Sequence, residues 1–190
     1  MSRLIAFGCS LTQGYGLENQ DDAWPSILAS KCNMDIINYG EPAASNKRIL
    51  WKILNTDINK DDIVVVKWSY TNRWCIIKDT DNIFNLGPWM KDKDSRLWYK
   101  NFYNDTDRIF DAQTIIKYAD YYLKEKGIKF YFMHTAPKDL DKLNTNATFV
   151  KTSISDISEQ HPKTKDYHPG ANAHKAYAEL VYKETNGLTI

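Results

Sequence analysis

The run Ile63-Val64-Val65-Val66, set off by Asp61-Asp62, constrains this 190-residue chain more than any other segment. Four consecutive β-branched residues are stiff at χ1 and leave no polar face, so the run reads as a strand buried on both sides. Such a strand belongs in a parallel sheet with helices covering both faces, and the flanking sequence supplies them. Arg3 to Gly8 and Met34 to Asn38 are further strand candidates. Asp22 to Ala29, with Pro25 in its first turn, reads as a helix, and so does Lys47 to Asp57 with Ile49, Leu50, Ile53 and Leu54 on one face. Ile109 to Lys126 is a helix ended by Gly127, Ile128 to Met133 a strand, Phe149-Val150 a short strand within a weakly patterned stretch 136–165, and Asn172 to Thr185 the closing helix. Strands alternating with helices predict a three-layer αβα sandwich around a parallel sheet, in a single domain over residues 1–190. Residues 68–107 show no sustained periodicity and read as an aromatic-rich insertion.

Charge and cysteine usage narrow the function. With 25 basic against 24 acidic residues, the chain has no excess positive charge to attract a polyphosphate, so nucleic acid is not the expected partner. No apolar run reaches membrane-spanning length and no secretory signal pattern opens the sequence, so no membrane association and a cytoplasmic location are expected. Cys9, Cys32 and Cys75 have neither disulfide-framework nor CxxC spacing, and His134, His161, His168 and His174 form no HExxH pair, so no metal is expected. Gly8, Gly14 and Gly16 match neither a Walker loop nor a dinucleotide fingerprint.

Ligands of such sheets bind at the carboxyl ends of the strands, and two of those ends carry complementary chemistry. Ser10 lies two residues past Gly8 at the first strand-to-helix turn. Asp166-Tyr167-His168-Pro169-Gly170 precedes the last helix. A serine hydroxyl needs a base to take its proton, and an imidazole base needs a partner to hold its tautomer. Ser10, His168 and Asp166 supply that set in the chain order Ser, Asp, His. The bland counterparts are a helix N-cap for Ser10, a surface loop histidine and a turn-forming aspartate. Cys9 is expected to pack inward as a small hydrophobe.

Together these segments resemble the SGNH (GDSL-type) hydrolase family. Gly8-Cys9-Ser10-Leu11-Thr12 is similar to its first block, Gly-Asp-Ser-Leu, and Asp166-Tyr167-His168-Pro169 to its last, followed by His174 and a helix with Ala176 and Ala178. The resemblance implies a flavodoxin-like sandwich in which the block-one serine attacks an ester carbonyl with the last-block histidine as base. This sequence departs from the pattern at Cys9, where the family has aspartate, and between Asp166 and His168, where one residue stands instead of two and Lys165 occupies the more usual acid position. The second block donates a glycine N–H to the oxyanion hole. The matching position is Ala43, with Gly40 as the alternative, and Ala43 can serve if its φ is negative. The third block, Gly-x-Asn-Asp, has its counterpart in Trp68 to Arg73. Asn72 is the side-chain donor if one extra residue is accommodated, with Thr71 or Ser69 as alternatives. The expected oxyanion hole is thus Ser10, Ala43 and Asn72.

Four of the six tryptophans, Trp68, Trp74, Trp89 and Trp98, fall in residues 68–98, close to Tyr99, Phe102 and Tyr103. Such rings can form a sugar platform, for which Trp68, Trp74 and the neighbouring Arg73 are the substrate-binding candidates. Alternatively they are the small core of the insertion. Arg73 would also suit an acidic sugar. The expected activity is a cofactor-independent serine esterase acting on a small-molecule or glycan ester, with an O-acetylated carbohydrate as the leading substrate. The alternatives are a catalytically impaired glycan-binding module and a lysophospholipase or thioesterase.

Overall fold

The computed structural model describes residues 2–79, 82–135 and 147–188. In chain order, β1 (Arg3–Gly8) leads into a four-residue helix α1 (Ser10–Gln13), followed by α2 (Trp24–Lys31), β2 (Asp35–Gly40), α3 (Asn46–Leu54) and β3 (Ile63–Trp68). A hairpin of β4 (Trp74–Ile77) and β5 (Ile83–Leu86) comes next. Then follow α4 (Lys93–Asn101), α5 (Asp105–Glu125), β6 (Lys129–His134), β7 (Thr148–Val150), α6 (Ile154–Ser158) and α7 (Ala171–Glu184). The five-stranded sheet runs β2-β1-β3-β6-β7, and every pairing in it is parallel. Helices α2 and α7 pack together, as do α3 and α5, which completes the three-layer α/β sandwich.

The strand inferred from Ile63 to Val66 is the centre of this sheet. All six residues of β3 are buried, including Lys67 and Trp68. From β1 the chain crosses to β2 on one side, and from β2 it returns past β1 to β3 on the other. The crossovers diverge between β1 and β3, which opens a crevice at their carboxyl ends.

Two glycines let the chain turn there. A Cβ on Gly8 would lie 2.0 Å from the Thr12 hydroxyl oxygen, and one on Gly40 would lie 2.2 Å from the Gln13 nitrogen and 2.6 Å from its Cα. These residues face each other across β1 and β2. The first turn of α1 therefore rests on bare backbone.

Helix ends follow their caps. α5 begins a turn earlier than the apolar periodicity predicts because the Asn104 side chain accepts from the Asp107 N–H, with Asp105 and Asp107 favouring the amino end. α3 ends at Leu54, before the expected Asp57, where the Asn55 side-chain amide donates to the Trp51 carbonyl and the Thr56 hydroxyl to that of Lys52.

The stretch 68–107 needs correction. It holds a hairpin, with Trp74 opposite Leu86 and Ile77 opposite Ile83, and the helix α4, capped by Asp92. Four-residue strands and a nine-residue helix are too short for their periods to stand out among scattered aromatics. Arg108 gathers this region: its guanidinium lies 4.2 Å from the Trp74 ring centre and 5.4 Å from that of Trp98, and pairs with Asp107 and Asp111. Residues 136–146 of the weakly patterned stretch lie outside the described residues. Among the described residues no helix is long and apolar enough to cross a membrane.

Because Gly40 meets main-chain atoms that cannot swing away, Gly40→Ala should displace α1 and destabilise the fold by about 2 kcal/mol or more. Chemical denaturation measures this, and an unchanged midpoint would contradict the packing argument.

Candidate active site

Ser10 is the first residue of α1, reached from β1 through the extended Cys9. Its N–H, like every N–H in the first turn of a helix, lacks an intrahelical acceptor. Gly14 closes the helix in the left-handed conformation and donates to the Ser10 carbonyl at 3.1 Å. Asn38 ties this helix to the end of β2: its side-chain amide donates to the Thr12 carbonyl at 2.9 Å while its oxygen accepts from the Gly40 N–H at 2.9 Å. Cys9 is fully buried, packed inward.

His168 arrives on a tight loop before α7. The Thr164 N–H donates to the His168 carbonyl at 2.8 Å, the His168 N–H to the Thr164 hydroxyl at 3.1 Å, and Lys163 bridges to Pro169. The imidazole is thereby brought to Ser10, with Nε2 3.2 Å from Oγ. On the other side Nδ1 lies 3.1 Å from the main-chain carbonyl oxygen of Asp166. A carbonyl can only accept, so this contact places the proton of the neutral ring on Nδ1 and turns the Nε2 lone pair toward the serine hydroxyl. Tyr15 steadies the ring from one side, its centroid 5.0 Å away.

The expected triad thus differs in one member. Asp166 brings its carbonyl to the imidazole, while the residue itself is exposed and lines a separate groove with Lys163 and Lys165. With only Tyr167 between Asp166 and His168, and Tyr167 held at φ 60°, the turn is too short to fold the acid side chain back.

The other predicted residues divide. Ala43 lies beside Ser10, with Tyr15, Pro42, Arg73, Trp89 and His168, around a cleft of about 370 Å³. Its φ is +60°, so the condition of a negative φ is not met and alanine occupies a conformation that favours glycine. An ion pair between Arg48 and Glu41 at 2.8 Å braces the strained loop. Asn72 does not line the cleft. It sits in the turn after β3, where its carbonyl accepts from the Tyr99 hydroxyl.

Trp68 is fully buried, edge-on to Phe132 at 5.2 Å, so it is core rather than platform. Trp74 faces Arg108 and Lys47, away from the cleft. Trp89, counted among the aromatics but not singled out, and Tyr15, flanked by Gly14 and Gly16, are the aromatic walls that sequence reasoning missed. Their only sequence signal was an aromatic residue beside glycine or proline in a polar loop.

Beneath the crevice lies buried charge. Lys67 is fully buried and donates from Nζ to the His134 carbonyl at 2.9 Å; burial pushes its ammonium down to about 8, while Cys9 and Asp156 favour the charge. Burial, then the neighbouring His168 and Lys67, holds His174 down to about 4, and its Nδ1 accepts from the Trp24 N–H at 3.1 Å. Among the described residues no three His, Cys, Asp or Glu side chains gather as metal ligands do.

Two outcomes follow. Ala43→Gly should relieve left-handed strain of ~1–2 kcal/mol at a cost of ~0.5–1 in unfolded-chain entropy, raising the unfolding free energy by about 1 kcal/mol in urea titration. An unfolded histidine titrates near 6.5 and His174 near 4. The unfolded chain therefore binds the extra proton first, and stability, complete above pH 6.5, falls as pH drops to 4. His174 alone contributes a loss of about 3 kcal/mol over that window. Denaturation at stepped pH should show it, and His174→Asn should flatten the curve by that amount while leaving the share of His134, also held near 4.

No family model matches the sequence, and no curated protein is similar to it at a significant level. Solved structures are similar along nearly the whole chain. TesA aligns with a TM-score of 0.66 at 13% identity, covering 99% of this chain and 100% of its own. The acetylxylan esterase Axe2 from Geobacillus stearothermophilus aligns at 0.62 and 12%, covering 96% and 93%. A G-D-S-L family lipolytic protein from Desulfitobacterium hafniense aligns at 0.59 and 12%, covering 97% and 99%. The order of the sheet, the position of the Ser10 turn and these likenesses together identify the architecture of this chain as the SGNH hydrolase fold.

Proposed function

We propose that this protein is a serine ester hydrolase that removes a short acyl group, acetyl foremost, from a carbohydrate or another small alcohol. The observation that carries the reading is the 3.2 Å contact between Ser10 Oγ and His168 Nε2 at the mouth of the crevice. Ser10 Oγ attacks the ester carbonyl carbon as Nε2 takes its proton. The carbonyl oxygen, now negative, is received by the Ser10 N–H, which has no acceptor within α1. Collapse of the tetrahedral intermediate breaks the bond to the alcohol, which leaves with the proton from Nε2. Water, deprotonated by the same nitrogen, then releases the acid and restores the serine.

The Asp166 carbonyl supports the correct tautomer, and as a dipole it stabilises the imidazolium less than a carboxylate would. Loss of the acid side chain should therefore matter little. Hydrolysis of p-nitrophenyl acetate should fall about a thousandfold or more in Ser10→Ala and His168→Ala. Asp166→Asn should stay within about tenfold of wild type, because the side chain is not what orients the ring. Equal rates for wild type and Ser10→Ala would leave a glycan-binding module as the better reading.

A cleft of about 370 Å³ beside the pair has room for an acetyl ester. The similarity to acetylxylan esterase Axe2 supports a carbohydrate ester in the same sense. A thioesterase or lysophospholipase would instead show rates rising along an acyl-chain series.

A further inference from the structure

The Ser10–His168 pair stands between two lobes of one crevice. The first is walled by Tyr15, Pro42, Ala43 and Trp89, the second by residues that include Tyr70, Glu159, Lys163 and Tyr167. Among the described residues, Arg73 is the one besides Ser10 and His168 that lines both. We infer that Arg73 is the specificity determinant of this site and that it receives a carboxylate carried by the ester substrate, an inference that rests on the esterase reading above.

Three observations support it. First, the guanidinium is held in place by aromatic faces, its centre 4.8 Å from the Trp89 ring and 5.0 Å from the Tyr70 ring, with Nη1 donating to the Ser69 hydroxyl at 3.2 Å. Gly87 lets the Trp89 indole fold back against the chain, where a Cβ would lie 2.6 Å from the ring. The two ring contacts orient the fork and shield part of it from water, which prepares it for two-point binding of a carboxylate.

Second, it meets no countercharge among the described residues. Arg3, Arg48 and Arg108, also drawn out of solvent, pair with Asp62, Glu41, and Asp107 with Asp111. Arg73 pairs with no carboxylate among the described residues, and its Nε is buried without a hydrogen-bond partner.

Third, among the described residues the first lobe is lined by no acid, so Arg73 gives it a positive wall beside Tyr15, Pro42, Ala43 and Trp89. The second lobe, by contrast, is lined by both Lys163 and Glu159. A partly desolvated, unpaired guanidinium beside a nucleophile discriminates in favour of an anion and against a neutral isostere.

The test compares two matched pairs of esters. In 4-acetoxybenzoate and its methyl ester the charge lies on the alcohol; in monophenyl adipate and phenyl methyl adipate it lies on the acyl group. The wild type should favour the charged member of at least one pair by about tenfold or more in kcat/KM, expressed mainly in KM. The pair that responds tells which side of the ester faces Arg73. In Arg73→Gln the charged-to-neutral ratio should fall to about one, and Arg73→Lys should keep part of it, since an ammonium retains the charge but not the fork. No preference in either pair, or a preference that survives in Arg73→Gln, would overturn the assignment. So would an equal fall in kcat for charged and neutral esters in Arg73→Gln, which would place the arginine on the oxyanion.

A binding arm keeps the two readings apart. By calorimetry on Ser10→Ala, the preferred charged ester should bind about tenfold or more tighter than its methyl ester, and Ser10→Ala/Arg73→Gln should lose that difference. Binding with this preference but no turnover of any ester by wild type would sink the esterase reading and uphold the anion site. Turnover with no charge preference in either assay would do the reverse.

Discussion

The close approach of α1 to the ends of β1 and β2 is the constraint on which the site depends. Gly8 and Gly40 sit side by side in the sheet, and Thr12 and Gln13 occupy the space where their side chains would be. The helix that begins with Ser10 therefore starts at the sheet edge, without a longer loop between them. Its first N–H groups and the serine hydroxyl open into the crevice where the crossovers diverge. Asn38 locks the arrangement by bonding to both Thr12 and Gly40.

On that base the imidazole is placed from the opposite end of the chain. Three hydrogen bonds within Thr164 to His168 and the bridge from Lys163 to Pro169 shape the loop, and its tightness explains why the Asp166 carbonyl rather than its carboxylate meets Nδ1. Among the described residues, two with side chains hold left-handed φ at this crevice, Ala43 and Tyr167, one in each lobe beside the Ser10–His168 pair. Backbone strain concentrated in this way is a mark of sites whose geometry is set by the surrounding structure.

Burial of charge is the second theme. Lys67 lies within the most apolar strand, its ammonium satisfied by the His134 carbonyl and set 5.4 Å from the Tyr177 ring centre. Burial, then the fields of His168 and Lys67, keeps His174 neutral, so it is a structural acceptor for Trp24. Arg108 and Arg73 show what packing does to like residues in one insertion. Arg108 is closed off by two aspartates and two tryptophans, whereas Arg73 has two aromatic faces and the Ser69 hydroxyl and lines the crevice.

From its sequence alone the chain determined the layers and the two polar ends of the site. An unbroken β-branched run can only be satisfied between two helical layers, and Gly8-x-Ser10 and His168-Pro169-Gly170 are local turn chemistry that needs no long-range information. Tertiary structure decided the rest. Whether a tryptophan is platform or core depends on what packs against it, so Trp68 disappears into the sheet while Trp89 lines the cleft. The approach of His168 to Ser10 and the gathering of Tyr15, Ala43, Arg73 and Trp89 around one cleft each arise where segments far apart in the chain meet. One-dimensional spacing carries no record of such meetings, because they depend on the path of the intervening backbone.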